Sequence, residues 1–393
     1  MTPLASERLD LLRALAALTV LIGHVRAFLF VPWSESVHRS PVDRLLYFVT
    51  GLGHQAVMVF FLLSGYLIGW HVLDAFRTGR WSWRWYGARR LSRLYVVLLP
   101  ALAVGAGIDR LGLHLFGHAG VYANVARYQF ITPFDTLHRS TVSTFFGNAA
   151  FLQQIRVPTF GSNGPLWSLS YELWYYAAFP LLVLAAVYAL RRSALAALLS
   201  AGALAAVLWF VGEGIALYFL LWLAGVAVLL LPPAARLARR GPLRTTALLV
   251  SLGLCAGVLA ASRSLAARPG DFLVGGAFAL LLYLLVQPAG IAAAERRTRA
   301  ARFWSWLAGF SFTLYVVHFP VLAFLRAALD HERIAIWQPT PLHALAAVGV
   351  VLCVLAYAFA LSLATERQTT RVRTRLGRAL SRTSALVFAR SEG

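Results

Sequence analysis

Ten apolar stretches, each close to the length that crosses a bilayer, constrain this chain to one kind of fold. They run over approximately 9–31, 53–73, 91–113, 165–190, 194–211, 214–231, 245–261, 272–288, 303–325 and 342–363. A hydrocarbon core about 30 Å thick takes roughly 20 apolar residues in a helix, and backbone polar groups within it must bond inside the segment. The expectation is an all-α polytopic membrane protein of about ten transmembrane helices. The stretches meeting near 190 and near 212 are separated by very short turns, so those neighbours should form antiparallel hairpins. Composition agrees: of 393 residues, 60% are hydrophobic and 13% charged. That charged share is about half of what a soluble domain carries.

Cationic charge orients the helices. All 36 basic residues are arginine, and the net charge is +21. Arginine accumulates on the cytoplasmic side of membrane proteins. With the N-terminus inside, 24 arginines fall in cytoplasmic segments and 11 on the opposite side, while Arg13 lies within the first span. N-terminus and C-terminus are therefore both expected in the cytoplasm, with the protein in the inner (cell) membrane. The arginines lie between apolar runs rather than on one domain, which argues against nucleic acid as a partner. Asp10 and Arg13 interrupt the first apolar run and no small-residue cleavage site follows, so that run is read as a retained span. Cys255 and Cys353 sit in apolar runs and have no metal-ligand spacing, so no metal site is expected.

Residues 1–365 form the expected transmembrane domain, and 366–393 an arginine-rich cytoplasmic tail suited to anionic membrane lipid. The connection 114–164 is expected outside; its short apolar stretch Thr144–Leu152 cannot span and is read as interfacial or re-entrant.

Charge inside a span costs about 3 kcal/mol even on the lenient insertion scale, so ionisable residues there point to function. Arg13 and His24 are eleven residues apart, which returns to one helix face about 16 Å further along the axis. Arg13 has the alternative of snorkelling to the inner surface, and His24 that of a structural hydrogen bond. Glu172 shares a face with Ser168 and with Tyr175 or Tyr176, as an orienting carboxylate or a buried hydrogen-bond knot. His318 follows Tyr315 and precedes Pro320; it can cap carbonyls freed by the proline. Arg90 and Arg93 share a helix face and suit phosphate oxygens, although cytoplasmic topology alone also places arginines here.

In order along the chain, these residues form a pattern. Leu9-Asp10-Leu11-Leu12-Arg13-Ala14 with His24, Phe60 to Ile68, Arg90 and Arg93, Leu166 to Tyr176, and Tyr315 to Pro320 resemble the motifs of the acyltransferase 3 family of bacterial membrane O-acyltransferases. The chain departs from the family in two places. Leu173 stands where many members have a second carboxylate, and Val96 where a proline often follows the arginine pair. The resemblance implies a ten-helix domain that takes an acyl group from cytoplasmic acyl-CoA, acetyl-CoA or another, used as co-substrate with no permanently bound cofactor. The acceptor would be a hydroxyl of a carbohydrate, a lipid-linked glycan or a glycosylated small molecule at the outer face. It would be modified directly, since a fused esterase-like domain is not expected. On this reading His24 is the general base or a transient acyl carrier, and Glu172 orients it or stabilises its protonated form. Arg13, Arg90 and Arg93 hold acyl-CoA, and Tyr175, Tyr176, Tyr315 and His318 contact substrate. A secondary transporter using Arg, His and Glu as a proton path, or a non-catalytic envelope-assembly protein, are the competing classes.

Overall fold

The computed structural model describes residues 3–37, 39–234, 241–287 and 298–375. Apart from isolated bridges such as Phe30–Trp337, no β pairing occurs among the described residues. α1 (Pro3–Leu29) leads through α2 (Pro41–Thr50) to α3 (Gly53–Arg77) and α4 (Trp83–Phe116). A long connection carries α5 (Thr136–Arg139) and α6 (Val142–Ala149) before α7 (Trp167–Leu190) and α8 (Ala194–Leu230). α9 (Gly241–Ser262), α10 (Ala267–Val286), α11 (Arg299–Ala308), α12 (Ser311–His331) and α13 (Pro341–Ala364) follow.

Nine helical segments among the described residues are long and apolar enough to cross a membrane. The count is one short of the expected ten because 194–211 and 214–231 join in α8, a segment of 37 residues broken at Gly212, where φ is +81°. Only glycine adopts that conformation without strain. The two arms run in opposite directions along α7. Ala194 follows closely on the end of α7, yet Phe210 packs on Trp174 near the start of α7, with ring centroids 5.0 Å apart. The second arm runs back down: the Ile215 carbonyl accepts from Tyr175 Oη at 2.7 Å, and Trp222 packs on Phe179. Each arm covers about 27 Å at 1.5 Å per residue, close to the thickness of the hydrocarbon core.

Two expected elements are divided differently. The helix expected over 303–325 breaks at Gly309 and Phe310 into α11 and α12. Thr298 caps α11 by accepting the Ala301 N–H at 3.1 Å, and Phe303 and Trp306 are exposed on it. The segment before α3 is not plain loop. Ser40 and Asp43 form a reciprocal capping box at the start of α2, whose Val42, Leu45 and Val49 are exposed. Part of the stretch Thr144–Leu152 is helical in α6, with Val142 and Phe146 exposed while Thr144 and Asn148 are buried.

Helices in lipid gain little from hydrophobic burial against one another, so close packing decides which ones touch. α3 and the second arm of α8 approach until a Cβ on Gly65 would lie 1.9 Å from the Trp222 carbonyl oxygen, and one on Gly225 would lie 2.0 Å from that of Leu62. α12 is central: 67% of its apolar window is buried, against 11% for the span containing α13. The long connection is anchored to this centre. Asn163 Nδ2 donates to the Val316 carbonyl at 2.8 Å, Tyr128 Oη to Asp330 at 2.7 Å, and the Ser162 hydroxyl to Asp109 at 2.6 Å. At the other end, Thr313 donates its N–H and hydroxyl to Glu366 at 3.0 and 3.1 Å, which ties the first residue of the expected tail to the bundle. Residues 376–393 of that tail lie outside the described residues, as do the arginines expected over 236–240 and at 296 and 297.

Candidate active site

α1 presents Arg13 and His24 to α12, and α12 answers each of them. Arg13 donates to the Ala308 carbonyl at 3.2 Å and to Ser311 Oγ at 3.4 Å, and it lies 3.7 Å from Asp10. About two turns further along α12, His318 Nε2 lies 2.8 Å from His24 Nδ1. Phe319 packs edge-on against the His24 ring, with centroids 5.0 Å apart.

The hydrogen bonds assign the protons. His318 Nδ1 lies 2.9 Å from the Leu314 carbonyl, which can only accept, so Nδ1 carries the hydrogen. A neutral imidazole has one N–H, which leaves Nε2 of His318 as an acceptor. It therefore receives the N–H of His24 Nδ1, and His24 Nε2 keeps its lone pair. His318 stands behind His24 as the third member of a catalytic triad stands behind its histidine. Pro320 does not explain His318. The carbonyl that this proline leaves without its helical N–H is that of Val316, and Asn163 satisfies it.

Two cavities meet at this seam. The loop-side cavity, about 460 Å³, is lined by His24, His54, Phe134, Arg139 and Trp167 among others. The tail-side cavity, about 90 Å³, is lined by Arg13, Ser64, Arg93, Ser168, Glu172 and Tyr176 among others. Val57 and Tyr315 line both cavities. Tyr315 Oη is held by Ser168 Oγ at 2.8 Å and by the Pro165 carbonyl at 3.0 Å, which fixes the phenol in the shared wall.

Several expected site residues take places other than those expected. Glu172 does not back His24; it accepts a short hydrogen bond from Tyr176, and both line the tail-side cavity. Its i, i+4 partner Ser168 lines the same cavity, but Tyr175 is turned away, buried with its hydroxyl on Ile215. Arg93 lines the tail-side cavity, whereas Arg90 is buried 5.5 Å from the Tyr86 ring centroid and 5.7 Å from that of Tyr176. The two arginines therefore do not present one fork.

His54 and Arg139, which the sequence reading passed over, line the loop-side cavity, and Glu366 and Asp271 act on residues that line the two cavities. Glu366 is among the charges felt by both Arg13 and Arg93; an acid directly after an apolar span was its visible signal. His54 lies 2.9 Å from Asp271, which also accepts from Tyr218 at 2.5 Å. Asp271 was missed because the expected span began one residue after it. Arg139, in the long connection, looked like an ordinary loop arginine. No cluster of three or more His, Cys, Asp or Glu able to hold a metal occurs among the described residues.

An imidazole lining one cavity, two arginines lining the second and a common wall suit transfer between two substrates that enter from different sides. A family model described as an acyltransferase domain matches residues 6–363. No curated protein and no solved structure matches the chain. The match takes in almost all of the described bundle, including both cavities, and the chain belongs to the acyltransferase 3 family.

Proposed function

We propose that the protein moves an acyl group from cytoplasmic acyl-CoA to a hydroxyl of a carbohydrate or glycosylated acceptor on the opposite side of the inner membrane. The observation that carries this reading is the His318–His24 pair, which lies on a cavity that shares a wall with the one lined by Arg13 and Arg93. The membrane topology that goes with it has ten crossings, α8 counting twice, and both ends in the cytoplasm. The tail-side cavity then faces the cytoplasm and the loop-side cavity faces out.

Acyl-CoA enters from the tail side with its phosphates at Arg93, and Arg13 lies further along its path. Arg90 braces Tyr176 instead of binding directly. The acceptor hydroxyl reaches His24 from the loop side. His24 Nε2 takes the hydroxyl proton as the oxygen attacks the thioester carbonyl. The tetrahedral intermediate collapses, the carbon–sulfur bond breaks, and the imidazolium returns the proton to the departing thiolate. Ester and free CoA result. Positioned base catalysis of this kind contributes about 10²–10⁴-fold.

The proposed donor is acetyl-CoA. Purified protein in nanodiscs should release CoA from acetyl-CoA in the presence of a sugar acceptor, and octanoyl-CoA should serve at least about tenfold less well. Substrate counterflow in proteoliposomes without any CoA release would favour the transporter reading instead.

A further inference from the structure

Among the described residues, Arg139 is a cation without a counter-ion in the cavity that His24 lines. It sits at the end of α5 and lines the loop-side cavity. The guanidinium lies over the Phe134 ring at 3.9 Å from the centroid, and Nη1 donates to buried Thr159 at 3.0 Å. A stack on one face and a hydrogen bond at one nitrogen hold the fork in a fixed orientation. The remaining N–H groups of the guanidinium have no carboxylate. The nearest acid in sequence, Asp135, is taken by His118 at 2.8 Å and by His138 at 3.2 Å. Burial is the one influence on the Arg139 pKa, which it lowers; no neighbouring charge contributes among the described residues. Among the described residues no Asp or Glu lines this cavity, and Asp271, which contacts the lining residue His54, is held by His54 and Tyr218.

An arginine that is partly desolvated, pinned and unpaired is expensive for the apo protein and is offset by a ligand that brings negative charge. The cavity around it is built rather than incidental. Trp167, Phe130 and Phe134 give it an aromatic lining, and Gln154 reaches the wall from a left-handed backbone conformation, φ +66°. A non-glycine residue in that region is held there by its surroundings.

We propose that the loop-side cavity takes an acceptor bearing an anionic group, a carboxylate or a phosphate, which Arg139 binds while the acceptor hydroxyl lies at His24. This inference rests on the acyl-transfer reading and adds the charge class of the acceptor to it. Arg139 selects and positions; the bonds made and broken are those of the transfer already described.

The test is binding to the full chain in nanodiscs of neutral phosphatidylcholine, with methyl glucuronide, glucose 6-phosphate and methyl glucoside as probes. At least one anionic probe should bind about tenfold or more tightly than the glucoside, and its affinity should fall with salt. The tighter of the two identifies carboxylate or phosphate. R139Q should abolish the preference, and R139K, which keeps charge without the fork, should retain part of it. Equal affinity for all three probes, binding of none, or a preference that survives R139Q overturns the proposal. Should R139Q melt early, the salt dependence and charge preference of the unsubstituted protein still decide. Acetyl-CoA binding by that same protein reports separately on the acyl-transfer reading: its absence sinks that reading, whereas intact binding with no anion preference sinks only this one.

Discussion

His24 owes its free nitrogen to a carbonyl on another helix. Leu314 fixes the proton on His318, and His318 fixes the proton on His24, so the His24 tautomer is set through a second side chain. His24→Ala should therefore lower transfer by at least about 10²-fold with acyl-CoA binding retained. His24→Gln should fail equally, because an amide keeps a hydrogen bond but takes no proton at neutral pH. His318→Ala should lower kcat by roughly tenfold or more by releasing the tautomer, with KM for acyl-CoA unchanged. Near-normal turnover by either His24 variant would return the pair to a structural role. The arginine pair should separate. Arg93→Gln should weaken acyl-CoA binding in a protein that still folds. Arg90→Ala should instead lower the melting temperature, since it empties the space between Tyr86 and Tyr176. The Arg13–His24 register was legible because eleven steps along one helix are fixed by geometry. The partners were not, because nothing in local spacing says which helix meets which. For that reason the spacing offers Glu172 as the group behind His24, and gives His318 only as a substrate contact or a cap for carbonyls freed by its proline.

Secondary elements show the same division between what is local and what is not. Spans such as α7 and α13 were readable to within a few residues, since hydropathy and length report membrane crossing directly. Interruptions were harder to read. The break at Gly309–Phe310 falls inside a continuously apolar stretch, and the signal for α11 is a Thr298 cap rather than a change in hydropathy. α2 was invisible to a search for 20-residue runs, although Ser40-Pro41-Val42-Asp43 carries the cap and the first-turn proline of a helix start. The α3–α8 contact gives an element-scale test. At Gly225 an added Cβ meets backbone at 2.0 Å, so no side-chain rotation relieves it. Gly225→Val should destabilise the protein by about 1–3 kcal/mol or more, seen as an earlier melting transition in detergent. Gly257→Val in α9, where a Cβ meets nothing within 4 Å, should leave the transition in place.

At the scale of the whole molecule, one glycine decides which side of the membrane everything after it occupies. If α8 is a hairpin, its two ends share a side; if it were a single tilted span, they would lie on opposite sides. A continuous helix of 37 residues would be about 55 Å long, far beyond a hydrocarbon core of about 30 Å. The pairing of Phe210 with Trp174 and of Trp222 with Phe179 also requires a reversal between them. The arginine distribution favours the same answer, because an odd number of crossings would place the arginine-rich C-terminal segment outside. Reporters inserted at Arg192 and at Gly241 should both register cytoplasm, and one inserted at Gly212 should register the opposite side. A reporter between residues 118 and 140 should agree with Gly212, and a fusion at Gly393 with Gly241. Cytoplasm at Arg192 together with outside at Gly241 would make α8 a single crossing and invert everything from α9 onward. It would also put Arg93 and Glu366 on opposite faces of the membrane. Both charges act on Arg13, so that result would be irreconcilable with the bundle itself, and the two-sided transfer proposed for it would fall as well.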